Sequence, residues 1–191
     1  FAAAFAAGAR FVYIRRSYCY LDVKHQAFHL AHDPCYARDA QRARDAGLVV
    51  GAYLFPSFNL GAPTPVEQVA NFLQAGGEIL AGKDLTVALD VEFPGNGIAD
   101  THQSKTRVFA LILEFVKELR THFKTVAIYT SHVQWHDSNG LSGPDSPALQ
   151  GVILWQKTPY RLAARKPLDT VPFRDPHVGG DPADPKNWEK Q

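Results

Sequence analysis

The chain has 191 residues, 46% of them hydrophobic and 20% charged, which suits one soluble globular domain with a sizeable core. A net charge of +1 and a pI near 8.0, with no clustered Lys/Arg, argue against nucleic acid as a partner. No apolar run approaches the roughly 20 residues of a membrane span.

In chain order, Phe1–Gly8 reads as the last turns of a helix closed by glycine; without a basic leader it is not read as a signal peptide. Residues 9–15 read as a strand, and 16–32 as irregular. Asp33-Pro34 opens a helix, with Asp as N-cap and Pro at the first helical position, and Gly47 stops it. Residues 48–55 form the next strand, ended by Pro56. Thr64-Pro65-Val66-Glu67 is a capping box that starts a helix to about Leu80. A buried strand over 85–92 follows, then an amphipathic helix over 103–122 with Val108, Leu111, Ile112, Phe115, Val116 and Leu119 on one face. Strands at 125–130 and 151–155 complete the pattern. Repeated β-α-β units imply parallel strands with right-handed crossovers. Six of the 13 prolines fall in 157–191, which reads as an extended, surface-wrapping segment of the same single domain.

The chemistry concentrates at Leu89-Asp90-Val91-Glu92, between the apolar run 85–89 and the turn-forming Phe93-Pro94-Gly95-Asn96-Gly97. Strand side chains alternate, so Asp90 and Glu92 share a face, roughly 6.6 Å apart along the strand at about 3.3 Å per residue. The bland alternative, a loop cap or an Arg partner, fits less well. Parallel α/β folds place catalysis at the C-terminal ends of such strands. Tyr53, Phe55, Tyr129 and Trp155 also lie at strand ends, and together they suit a groove that stacks sugar rings.

Other motifs carry less. His25, His29 and His32 would share a face on a helix, and His132 and His136 are four apart beside Asp137, but neither set has the H-E-x-x-H pattern. Surface histidines without metal are expected. Cys19 and Cys35 are the only cysteines; a disulfide and two free thiols both remain open. Cys19 has no nucleophile signature, and no G-x-S-x-G elbow, P-loop or G-x-G-x-x-G occurs.

An ordered set of segments resembles the lysozymes of glycoside hydrolase family 25, the Chalaropsis-type N,O-diacetylmuramidases. These are Phe11-Val12-Tyr13-Ile14-Arg15; Asp33-Pro34-Cys35-Tyr36 with the run from Ala43 to Phe55; Leu89-Asp90-Val91-Glu92; and Ile128-Tyr129-Thr130-Ser131. The match runs over about residues 5 to 135. The resemblance implies an irregular TIM-like (β/α) barrel of about five β/α units plus extra strands. It implies hydrolysis of the β-1,4 bond between N-acetylmuramic acid and N-acetylglucosamine. Glu92 would be the general acid, Asp90 its partner carboxylate, and Tyr53 and Tyr129 cleft walls. The expected partner is peptidoglycan glycan strands, with no cofactor. The protein would be a monomer, antimicrobial, secreted or cell-wall associated, as in a bacterial or phage lysin. The family's opening "IDVS" strand and its closing strand near "WQY" have no counterpart here, and Met is absent throughout. A domain trimmed at both ends is therefore expected, with its barrel edges incompletely paired. Retention and inversion both remain open. The alternatives are a non-catalytic cell-wall-binding module and a chitinase-like barrel glycosidase; the chitinase pattern would need an acid at Ala88.

Overall fold

The computed structural model describes residues 1–80, 82–92, 105–131, 135 and 146–157. The chain divides into two units, Phe1–Gln156 and Lys157–Gln191. The extended Pro-rich segment, the loop from Phe93, and His132, His136 and Asp137 lie outside the described residues.

The elements are α1 (Ala2–Ala6), β1 (Phe11–Asp22), β2 (Ala27–His32), α2 (Tyr36–Asp45), β3 (Val49–Phe55), α3 (Pro65–Gln74), β4 (Val87–Val91), α4 (Lys105–His122), β5 (Val126–Ser131) and β6 (Ile153–Lys157). They build a six-stranded sheet in the order β2-β1-β3-β4-β5-β6. The β1/β3, β3/β4 and β4/β5 pairs are parallel, as the alternating strand and helix pattern requires, and β2 is antiparallel to β1. The result is a mixed α/β fold whose sheet is mostly parallel and, among the described residues, open.

One face of the sheet carries the main core. Val50, Ala52, Leu54, Val87, Leu89, Val91, Val126 and Ile128 pack there against Tyr36, Ala40 and Ala43 of α2, Val69 and Phe72 of α3, and the buried face of α4. Each fully buried Leu, Ile or Phe contributes about 1.5–3 kcal/mol. The opposite face holds a smaller set, Tyr53, Ala88 and Ala127, with Tyr13 and Phe55 against them. β4 is buried along its whole length, because side chains cover both of its faces.

Several boundaries differ from the sequence reading. The first strand does not end at Arg15. It continues to Asp22 and returns as β2, so 16–32 is a hairpin. A register shift between Arg15 and Ser17 interrupts the alternation that would have marked the strand. The turn also lacks Gly and Pro. Asp22 instead accepts the backbone N–H groups of Lys24 and His25, and Gln26 takes a φ of 52°. The hairpin overturns the shared helical face of His25, His29 and His32: His29 and His32 lie three apart on a strand and point to opposite sides.

The next helix starts at Tyr36 with Cys35 as N-cap, so Asp33 and Pro34 lie outside it. The Asp33 carboxylate accepts the Cys35 N–H and pairs with Arg15, roles that compete with capping. Thr64 and Glu67 form the full capping box. Helix α3 ends at Gln74 rather than near Leu80, just before Gly76-Gly77. The buried Arg16 guanidinium takes the carbonyls of Phe72 (2.8 Å), Leu73 (3.4 Å), Ala75 (2.6 Å) and Gly77 (2.6 Å). The carbonyls of Phe72 and Leu73 are among the acceptors that a helix C-terminus leaves without partners, and those of Ala75 and Gly77 belong to the chain just after it.

Candidate active site

Strand register assembles the site on the face away from the main helix core. Arg15 lies beside Tyr53, Tyr53 beside Ala88, and Ala88 beside Ala127, which makes one row across four strands. One step toward the strands' C-terminal ends, Asp90 lies beside Tyr129. Small Ala88 and Ala127 in the lower row leave room between the larger side chains.

Asp90 is 4% exposed near the end of β4, and Glu92 is half-buried immediately after the strand. Tyr53 and Tyr129 are buried; Phe55 and Trp155 are half-buried. The Tyr129 and Trp155 rings meet edge-on with centroids 4.9 Å apart. Burial pushes the Tyr53 phenol well above its ordinary range, and the nearby Asp90 carboxylate pushes it further. Arg15 opposes that shift, while Glu92 and Asp33 add to it. The Tyr53 hydroxyl therefore senses both carboxylates of the acidic strand. The six residues singled out in the sequence share this sheet region.

The structure adds residues that sequence reasoning missed. Arg15 holds Asp33 in an ion pair at 3.1 Å, beside Tyr53. Tyr13 lies flat over Gly51, where a Cβ would stand 2.4 Å from the ring, and its hydroxyl donates to the Thr86 carbonyl at 2.9 Å. The Tyr13 ring also packs on Trp155, 4.9 Å between centroids. Alternation from Phe11 puts Tyr13 and Arg15 on one face, a signal present in the sequence. Tyr13 and Trp155 stand on β1 and β6, four strand steps apart, about 19 Å in a flat sheet at about 4.8 Å per step. Their contact requires the sheet to coil until its far strands approach over the site.

Cys19 is buried and Cys35 half-buried, and both are free thiols. Burial pushes the Cys19 thiol up to about 11, which keeps it protonated and unreactive. Among the described residues, no group of three or more His, Cys, Asp or Glu is placed to hold a metal ion. No helix among them is long and apolar enough to cross a membrane.

Comparison with solved structures places this fold among known ones. The chain is similar to a muramidase from Acremonium alcalophilum, at 25% identity and a TM-score of 0.63, over 81% of this chain and 69% of that one. It is similar to a family GH25 lysozyme from Aspergillus fumigatus, at 24% identity and a TM-score of 0.62, over 89% of this chain and 74% of that one. A lysozyme from Streptomyces coelicolor matches at 24% identity and a TM-score of 0.55, over 68% of this chain and 56% of that one. The chain thus spans between about half and three quarters of the length of these proteins. No curated protein matches it. The family model of the glycosyl hydrolases family 25 matches residues 4–155, which takes in β1 to β5, the start of β6 and the acidic pair, and the chain belongs to that family.

Proposed function

We propose that this glycoside hydrolase cleaves the β-1,4 bond between N-acetylmuramic acid and N-acetylglucosamine in peptidoglycan, with Glu92 as general acid and Asp90 assisting. The observation that carries the reading is Asp90 near the C-terminal end of a buried parallel strand, with Glu92 immediately after it. Tyr53 stands beside them and Tyr129 lies on the neighbouring strand. Family membership and the muramidase and lysozyme neighbours support it.

Glycoside hydrolysis needs a proton at the leaving oxygen and negative charge near the anomeric carbon. In this reading the half-buried Glu92 carboxyl donates its proton to the glycosidic oxygen as the C–O bond breaks. Asp90, fixed on the strand, stabilises the oxocarbenium-like centre. Water then adds to the anomeric carbon, and its proton returns to the carboxylate. Tyr53, Tyr129, Phe55 and Trp155 line the groove and hold the sugar rings in place.

The finer architecture belongs to the same reading. The coil that brings Tyr13 to Trp155 is the start of an irregular β/α barrel, and residues 1–191 act as one monomeric catalytic domain. Its substrate puts its work at the cell wall, as a secreted or wall-associated antimicrobial enzyme. Incubation with purified peptidoglycan tests the proposal against a module that only binds. Release of new reducing ends supports it, whereas pull-down on peptidoglycan without any release overturns it.

A further inference from the structure

The line of aromatic side chains in the site does not stop at β3. In the β1/β3 register Tyr18 lies beside Phe55, and Phe55 follows the Leu54–Leu89 pair, level with Asp90. Tyr18, Phe55, Asp90 and Tyr129 thus form one row, with Tyr18 two strands from Asp90, about 10 Å away. The register shift after Arg15 makes this possible. It turns Arg16 and Ser17 together into the protein and returns Tyr18 to the face of Arg15, whose guanidinium lies 4.5 Å over the Tyr18 ring. Tyr20 faces the same way two residues on, 5.7 Å from Tyr18 between centroids. It stacks on His29 of β2 at 5.4 Å with ring planes 26° apart.

The two faces of the hairpin differ. On the far face Cys19 is buried, and His32 bonds the Asn71 carbonyl. On the near face Tyr20 is 46% exposed and His29 is exposed. Isolated exposed aromatics are common on protein surfaces. Here the exposed ring is held by stacking and adjoins, through Tyr18, a row that already contains Asp90. Preordered rings with polar edges suit the C–H faces and hydroxyls of sugars at little ordering cost.

We propose that Tyr18, Tyr20 and His29 form a second stacking platform, which holds sugar units of the same glycan strand beyond the bond that is cleaved. The proposal rests on the muramidase reading, and its test separates the two. Peptide-free glycan strands of alternating N-acetylglucosamine and N-acetylmuramic acid serve as probes, in tetrasaccharide and long forms. Tyr20→Ala should raise KM for long strands about 3- to 10-fold with kcat unchanged. It should leave tetrasaccharide turnover unaltered, and Tyr20→Phe should behave as the unsubstituted chain. His29→Ala, on the other side of the stack, must give the same split. An unchanged KM on long strands, or an equal loss on both lengths, overturns the platform. If the unsubstituted chain cleaves neither probe, the muramidase reading fails, and binding of long strands decides the platform alone. There Tyr20→Ala must weaken binding by the same factor, and equal binding, or none by the unsubstituted chain, overturns it.

Discussion

At the scale of single residues, the proposed acid pair was read from strand alternation, which applies to Asp90 on β4, whereas Glu92 follows the strand's end at Val91. The positions of Asp90, Tyr53 and Tyr129 near strand ends were legible because apolar runs mark those strands. Arg15 and Asp33 were not, because their ion pair joins residues 18 positions apart across an irregular strand and a turn. Asp90→Asn tests the proposed division of labour. It keeps the shape and removes one negative charge, so activity should fall. The basic limb of the pH–rate profile should also move to lower pH, because a neighbouring anion helps Glu92 keep its proton. A variant with full activity and an unmoved profile would remove Asp90 from the proposed machinery.

At the scale of elements, Gly51 shows how β1 and β3 fit together. The structure shows that the Tyr13 ring occupies the space a side chain would need, anchored by Thr86 at one end and Trp155 on its face. Gly51→Ala should therefore lower stability by about 1–3 kcal/mol, the usual range for overpacking, as read from urea unfolding. An unchanged unfolding midpoint would show that Tyr13 moves aside freely. The strands and helices with clean periodicity were legible, and so was the capping box at Thr64. The hairpin was not, since a bulge resets the period at Arg16 and its turn is made by the Asp22 carboxylate and Gln26. The end of α3 was missed for a related reason: the Arg16 guanidinium that takes its last carbonyls comes from a residue more than 50 positions away.

At the scale of the whole molecule, burial leaves a mark on the pH dependence of stability. The Cys19 thiol is pushed up to about 11 and the Tyr13 phenol to about 12, and Tyr53 is raised as well, in each case chiefly by burial. Exposed in the unfolded chain, a thiol and a phenol titrate near 9.0 and 10.0. The folded chain therefore holds more protons across this alkaline window, and stability falls as pH rises through it. Below about pH 9 the contribution is fully present. Thermal melts from about pH 8 to about pH 11 should show a falling Tm, with a shallower slope in Cys19→Ala and Tyr13→Phe. A Tm that stays level across the window would contradict the burial of these groups.

The mixed α/β architecture was legible because helices and parallel strands alternate along the chain. The coil that joins β1 and β6 over the site was not, since it depends on contacts between Tyr13 and Trp155, 142 positions apart. The central claim remains that Glu92 supplies the proton to the leaving oxygen. Glu92→Gln keeps the side chain's size and removes that proton, and general acid catalysis is worth about 10²- to 10⁴-fold. Release of reducing ends from purified peptidoglycan, measured beside binding to the same material, is the most direct measurement. The account predicts at least about a hundredfold loss of turnover with binding kept, and near-full turnover by the variant would contradict it.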